Sequence, residues 1–247
     1  MTFTKIVRDD KTNIHTVSDR SKQATAEDFN EDKAVVNAVV DALNSVVPAF
    51  KIGDTNNNTE FEADGTIKFN GNATTWEDEN FDPTMLTGNG NLPTLGNFGS
   101  TTIGISLFSG SQTDSVLICK EYPHKAILNA SGQTTKKLSF HIHCYSTNAS
   151  GGNIRLELEY FFSCEGQSVT TSQKIYLTVA LPTTVWQQTT FAFADITAPE
   201  NLGCQYHFKF SRLGGDALDT ATQALAISTI GFHYESDTTG SRQITAK

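Results

Sequence analysis

Past Lys51 the apolar residues recur at every second position, and this alternation limits the chain to pleated strands with one buried and one wet face. In Asn153–Ser163, Ile154, Leu156, Leu158 and Tyr160 share one side, while Arg155, Glu157 and Glu159 share the other. The same pattern predicts strands over Thr102–Phe108, Ser115–Cys119, Lys137–Ser146, Gln173–Val179, Trp186–Phe193, Gln205–Leu213 and Leu225–Glu235. Turn-forming residues separate them, and no crossover helix intervenes. Such a run predicts an all-β, antiparallel, jelly-roll-like β-sandwich. Composition agrees: only 38% of residues are hydrophobic and 18% charged, and Thr, Ser, Asn and Gly fill the balance. These residues suit half-wet strands joined by many turns.

Different periods govern the first fifty residues. Residues 1–24 are polar and mixed in charge, with Thr4–Arg8 as a short strand candidate. Thr25–Val47 is the segment with a helical period. Thr25 can cap it, Glu27 and Asp28 place negative charge in its first turn, and Pro48 ends it. Phe29, Val36 and Leu43 are seven apart, Asp32, Val39 and Val46 are their companions, and Val35, Val40 and Val47 widen the stripe. One reading is an amphipathic helix packed on its own domain. The other is a short parallel coiled coil in which Phe29, Val36, Val39, Leu43 and Val46 set an oligomer. After the helix, Asp64-Gly65 between Phe61, Ala63, Ile67 and Phe69 is a hairpin signal. The expected organisation is an anchoring arm and helix over 1–50, a connecting β-hairpin over 51–70 and the sandwich over 71–247. Residues 77–100, rich in Gly, Asn and Pro, read as one long loop.

The net charge of −9 and the lack of a Lys/Arg cluster argue against a nucleic-acid partner. No stretch nears the roughly 20 apolar residues that span a bilayer, so no membrane insertion is expected. The first ten residues lack a signal-peptide pattern, which leads to the expectation of folding in the cytosol. Cys119, Cys144, Cys164 and Cys204 are far apart and include no C-x-x-C pair, so they read as four separate buried thiols.

One constellation is chemically tempting. His141 and His143, in FHIHCY, lie two apart on a predicted strand and so share one face. Two imidazoles on one face can begin a transition-metal site, which needs a third ligand. The competing reading is a polar pair on a sheet face or subunit contact. His124, His207 and His233, taken singly, read as hydrogen-bonded packing residues, and Glu157 and Glu159 as the wet side of a strand. No G-x-S-x-G, H-E-x-x-H or phosphate-cradling glycine motif occurs. No cofactor and no catalytic residue are expected.

Three passages also resemble a known group. QATAEDFNEDKAVVNAVVDALN, Gln23–Asn44, resembles the capped helix that opens many tailed-phage fibre and appendage proteins. FEADGTIKFNGNATTWED, Phe61–Asp78, looks like the opening of the C-terminal domain in a group of phage virion proteins. GFHYESDTTGSRQITAK, Gly231–Lys247, is similar to that group's closing strand and tail, and FHIHCY falls where the group carries a His-x-His strand. The resemblance implies a homotrimeric structural protein of a bacteriophage virion, made in the host cytoplasm. Its implied place is a capsid decoration, cement or head fibre that docks through its N-terminal arm on the major capsid protein or on a tail or portal protein. One alternative is a short tail fibre or receptor-binding appendage that recognises a host surface glycan. A third reading, from the histidines alone, is a metal-dependent jelly-roll enzyme using His141 and His143.

Overall fold

The computed structural model describes residues 33–41, 50–62, 65–129, 137–169 and 171–240. Residues 33–41 are helical, within the predicted helix. Of the residues assigned to oligomerisation, Val36 and Val39 lie in this helical segment, while Phe29, Leu43 and Val46 and the N-terminal arm lie outside the described residues.

The strands, in chain order, are β1 (Phe50–Gly53), β2 (Asn58–Phe61), β3 (Ile67–Asn70), β4 (Thr75–Phe81), β5 (Thr94–Asn97), β6 (Gly104–Phe108) and β7 (Thr113–Glu121). They continue as β8 (Lys137–Ser146), β9 (Asn153–Cys164), β10 (Gln173–Ala180), β11 (Gln188–Ala192), β12 (Ile196–Thr197), β13 (Cys204–Leu213) and β14 (Leu225–Ser236). The segment expected to be a single hairpin is a three-stranded meander, β1-β2-β3. The remaining strands form an antiparallel jelly-roll-like sandwich. One sheet has four strands in the order β10-β9-β13-β7. The other has seven, β11-β8-β14-β6-β5, with β12 on β8 and β4 on β14.

Alternation decides which residues meet between the sheets. Leu138, Phe140, Ile142 and Cys144 of β8 and Ile230, Phe232 and Tyr234 of β14 point inward from the larger sheet. Ile154, Leu156 and Leu158 of β9 and Tyr206, Phe208 and Phe210 of β13 face them. Aromatic rings interlock across the gap: Phe108 meets Phe210 at 5.4 Å, Phe140 meets Phe208 at 5.6 Å and Phe232 meets Tyr206 at 5.1 Å between centroids. Edge-on and tilted pairs of this kind add about 0.5–1.5 kcal/mol each beyond the area they bury.

Two sequence expectations are corrected. Residues 77–100 are not one loop, because β4 pairs with β14 and β5 with β6. β4 hides because its inward positions are Glu77, Glu79 and Phe81, two of them acidic where an apolar residue is expected. Their charges are met at the sandwich rim. Lys125 lies 2.9 Å from Glu77 and Lys120 3.2 Å from Glu79, and the Tyr206 hydroxyl donates to Glu79. Burial and this bond to Glu79 hold the Tyr206 phenol far above its usual range. The cysteines are also not four separate thiols. Cys164 and Cys204 are register partners on β9 and β13 and form a disulfide, a pairing hidden by their 40-residue separation. Cys119 is exposed and Cys144 buried, where desolvation pushes its thiol up to about 12.

One ion pair joins the layers. Arg212, on β13, is fully buried beside Asp219. Its Nε and Nη2 donate to the two Asp219 oxygens at 2.9 and 2.8 Å. Nη1 donates to the carbonyls of Phe108 and Gln223 at 3.0 and 2.7 Å, and Nη2 to that of Ala221 at 2.5 Å. All five guanidinium donors therefore have acceptors. Asp219 Oδ2 also accepts the Arg155 backbone N–H at 3.0 Å. Replacing Asp219 by Ala leaves a buried cation unpaired and should cost about 3–5 kcal/mol. Urea denaturation of Asp219→Ala measures this, and a loss under about 1 kcal/mol would mean that the cation is solvated.

Candidate functional site

The outer face of the seven-stranded sheet gathers the polar chemistry. β8 turns Ser139, His141, His143 and Tyr145 outward, opposite its core residues. In register, His141 stands beside Gly231 and His143 beside Thr229, both on β14. β14 carries His233 on the same face, paired in register with Asp78 of β4. On the other side, β11 sets Thr190 beside His143 and Gln188 beside Tyr145.

Gly231 makes the arrangement possible. A Cβ there would lie 2.0 Å from His141 Cε1, so the imidazole rests directly on the glycine backbone. From this position the His141 ring lies 4.4 Å from the His233 ring and 5.0 Å from that of His143, between centroids. His141 Nε2 and His143 Nε2 are 3.2 Å apart. His233 Nε2 is 3.3 Å from Asp78 Oδ1. One ligand atom from each of Asp78, His141 and His233 lies within 4.8 Å of the other two.

Hydrogen bonding links the proton positions of the two rings. The Gln188 amide nitrogen is 3.1 Å and the Thr190 hydroxyl 3.0 Å from His143 Nδ1. If Gln188 donates there, His143 is protonated on Nε2 and donates to His141 Nε2. His141 then carries its proton on Nδ1, an atom that is buried and has no hydrogen-bond partner. Burial, followed by the neighbouring His233, holds the His141 imidazole below its ordinary pKa, and the His143 ring adds to this, while Asp78 opposes it.

The expected pair His141 and His143 does sit on one face. His233, read as an isolated packing residue, instead joins them, and Asp78 comes from a segment read as loop. The signal for His233 was present: it alternates with Phe232 and Tyr234 and so must face away from the core. The signal for Asp78 required recognising β4. His124 lies apart beside Glu121 at 3.0 Å. His207 also lies apart, bonded to Ser163 at 2.9 Å and stacked on Phe161. Glu157 and Glu159 are bridged by Lys174 at 3.2 and 3.4 Å, an ion-pair role.

Aromatic side chains flank the histidines. Tyr145 packs against Phe98 at 4.6 Å, and Phe98 against Trp186 at 5.2 Å. Trp186 adopts φ 58, a left-handed conformation that is costly for a bulky residue. Its backbone N–H donates to the Ser146 carbonyl at 3.0 Å. On the far side of the cluster, Trp76 of β4 is 62% exposed.

A Cβ at position 231 must displace the His141 ring, because the glycine lies on β14 between β4 and β8 and cannot retreat. Gly231→Ala should therefore destabilise the protein by about 1–3 kcal/mol. Adding His141→Ala should recover most of that loss, as a thermal or chemical denaturation cycle will show. Additive penalties would mean that the ring does not rest on the glycine.

No protein-family model matches the chain, and no curated protein does. Solved structures similar to it include a CBM35 module from Cellvibrio japonicus, with 12% identity and a TM-score of 0.37, covering 67% of this chain and 99% of that one. Another is a family 35 carbohydrate-binding module from an environmental isolate, with 12% identity, TM-score 0.38, and 66% and 97% coverage. A third is the CBM36-1 domain of a multidomain xylanase from the hindgut metagenome of Trinervitermes trinervoides, with 11% identity, TM-score 0.34, and 64% and 96% coverage.

Proposed function

We propose that the chain is a non-enzymatic structural component of a bacteriophage-type virion that self-associates through its helix and presents the β-sandwich outward. The observation that carries this reading is the helix surface. Val35, Val36 and Val39 are 64%, 42% and 53% exposed, although the sandwich closes its own core. A run of exposed β-branched residues on one short helix is stabilised when other copies or a docking partner cover it. The three passages that resemble phage virion proteins supply the particle context. The Cys164–Cys204 disulfide suits a surface that works outside a reducing cytosol.

Within this reading, a capsid decoration or head fibre is the first choice, with three copies docking together through weak arms that gain by avidity. A trimer in sedimentation of the full chain is the expected state. Val36→Asp with Val39→Asp should shift it to monomer while leaving the thermal transition of the sandwich in place. A wild-type monomer, or a double mutant that remains trimeric, would remove the helix as the assembly element.

The aromatic residues on the outer face favour a second reading, a receptor-binding appendage. Trp76 is exposed, and the half-buried rings of Tyr145, Phe98 and Trp186 pack into one aromatic cluster, residues of the kind that bind ring-shaped ligands such as glycans. Copy number per particle distinguishes the two: a decoration protein tracks the coat, and an appendage tracks the tail symmetry.

A further inference from the structure

We infer that Asp78, His141 and His233 hold one divalent transition-metal ion on the outer face of the seven-stranded sheet, with His143 as the positioning residue behind His141. The inference goes beyond the structural role proposed above and does not rest on it.

Four observations converge. First, the three residues come from three adjacent strands, β4, β8 and β14, and present ligand atoms within 4.8 Å of one another. Second, the 3.3 Å between His233 Nε2 and Asp78 Oδ1 is long for a charge-assisted hydrogen bond. It matches the separation of two ligands on one ion, about 3.3 Å for tetrahedral bonds of about 2.0–2.1 Å. Third, His141 Nδ1 is buried without a hydrogen-bond partner, while its Nε2 is engaged by His143. A buried polar atom left unpaired is uncommon and calls for an unseen partner. Fourth, the fold reserves space for this ring, since any side chain at position 231 would occupy it.

The surroundings can supply what a metal-bound histidine needs. A ligating imidazole donates its other N–H to an acceptor, which fixes its tautomer. With the ion on Nδ1, His141 would donate from Nε2 to His143 Nε2. His143 would in turn donate from Nδ1 to the Thr190 hydroxyl, 3.0 Å away. Rotation of the Gln188 amide presents its oxygen to the same atom in place of its nitrogen. The proton thus moves from one nitrogen to the other on each ring, so the tautomer change itself adds no charge, and the ion's charge is met in part by the Asp78 carboxylate.

Two imidazoles and one carboxylate select a borderline ion such as Zn²⁺, Co²⁺ or Ni²⁺ over Ca²⁺ or Mg²⁺, which prefer oxygen-only shells. Three protein ligands leave a coordination position for water or for a donor from a bound partner. Because the ligands lie on three strands, the ion would clamp β4 to the centre of the sheet.

The test uses the full chain, stripped with chelator and titrated with Zn²⁺ by calorimetry and with Co²⁺ by visible absorption. One ion per chain should bind saturably and raise the thermal midpoint, with Mg²⁺ giving neither effect. Asp78→Asn, His141→Ala and His233→Ala should remove the site. His143→Ala should retain it roughly 10- to 100-fold weaker. Asp78 is exposed, so its variant keeps the readout valid even where a histidine variant fails to fold. Three results would overturn the inference: no saturable binding by the wild type, stoichiometric binding that survives both Asp78→Asn and His233→Ala, or a Co²⁺ spectrum dominated by thiolate charge transfer. Complete loss in His143→Ala would overturn its assignment as a positioning residue.

Discussion

The buried Arg212–Asp219 pair is the interaction on which the sandwich depends. Hydrophobic burial brings two sheets together but is indifferent to how they slide. Arg212 removes that freedom at one end. It belongs to β13 of the smaller sheet, yet its guanidinium donates to the Phe108 carbonyl of β6 in the larger sheet. The same cation gathers Ala221 and Gln223 from the connection into β14. Asp219 completes the arrangement by accepting an N–H from β9. Two charges without water are stabilising only when every donor is met, and here the fork geometry of arginine meets them all.

With the layers fixed at that end, the two faces of each strand take separate roles. On β8, Phe140 and Ile142 fill the core while His141 and His143 stand on the opposite side. On β14, Phe232 and Tyr234 do the same for His233. The core therefore acts as a rigid backing for the outer face. Side chains on adjacent paired strands keep their spacing without a dedicated loop, which is why three strands can bring Asp78, His141 and His233 together on an open sheet.

Much of the sandwich was legible because its strands are long and alternate strictly. β8 coincides with the predicted span, and β9 and β13 each differ by one residue at one end. β4 was not legible. Glu77 and Glu79 occupy its inward positions and are paired with Lys125 and Lys120, with the Tyr206 hydroxyl donating to Glu79, all residues remote in sequence. The site was half legible for the same reason. Two histidines two apart announce a shared face, but Asp78 and His233 join them only through the pairing of β4 with β14, a fact of register that spacing along the chain does not carry. The Cys164–Cys204 bond depends on the register of β9 with β13 in the same way.

The small β1-β2-β3 sheet is not a free appendage. Backbone bonds run from the Phe69 N–H to the Asp237 carbonyl and from the Thr239 N–H to the Ile67 carbonyl. Residues 237–239 directly follow β14, so these bonds fasten β3 to the end of the central strand of the larger sheet. β14 is flanked by β8 along one side and by β4 and β6 along the other. Fraying of the small sheet would therefore release the backbone that holds the end of β14, so the two sheets are coupled through main-chain bonds that no side-chain truncation removes.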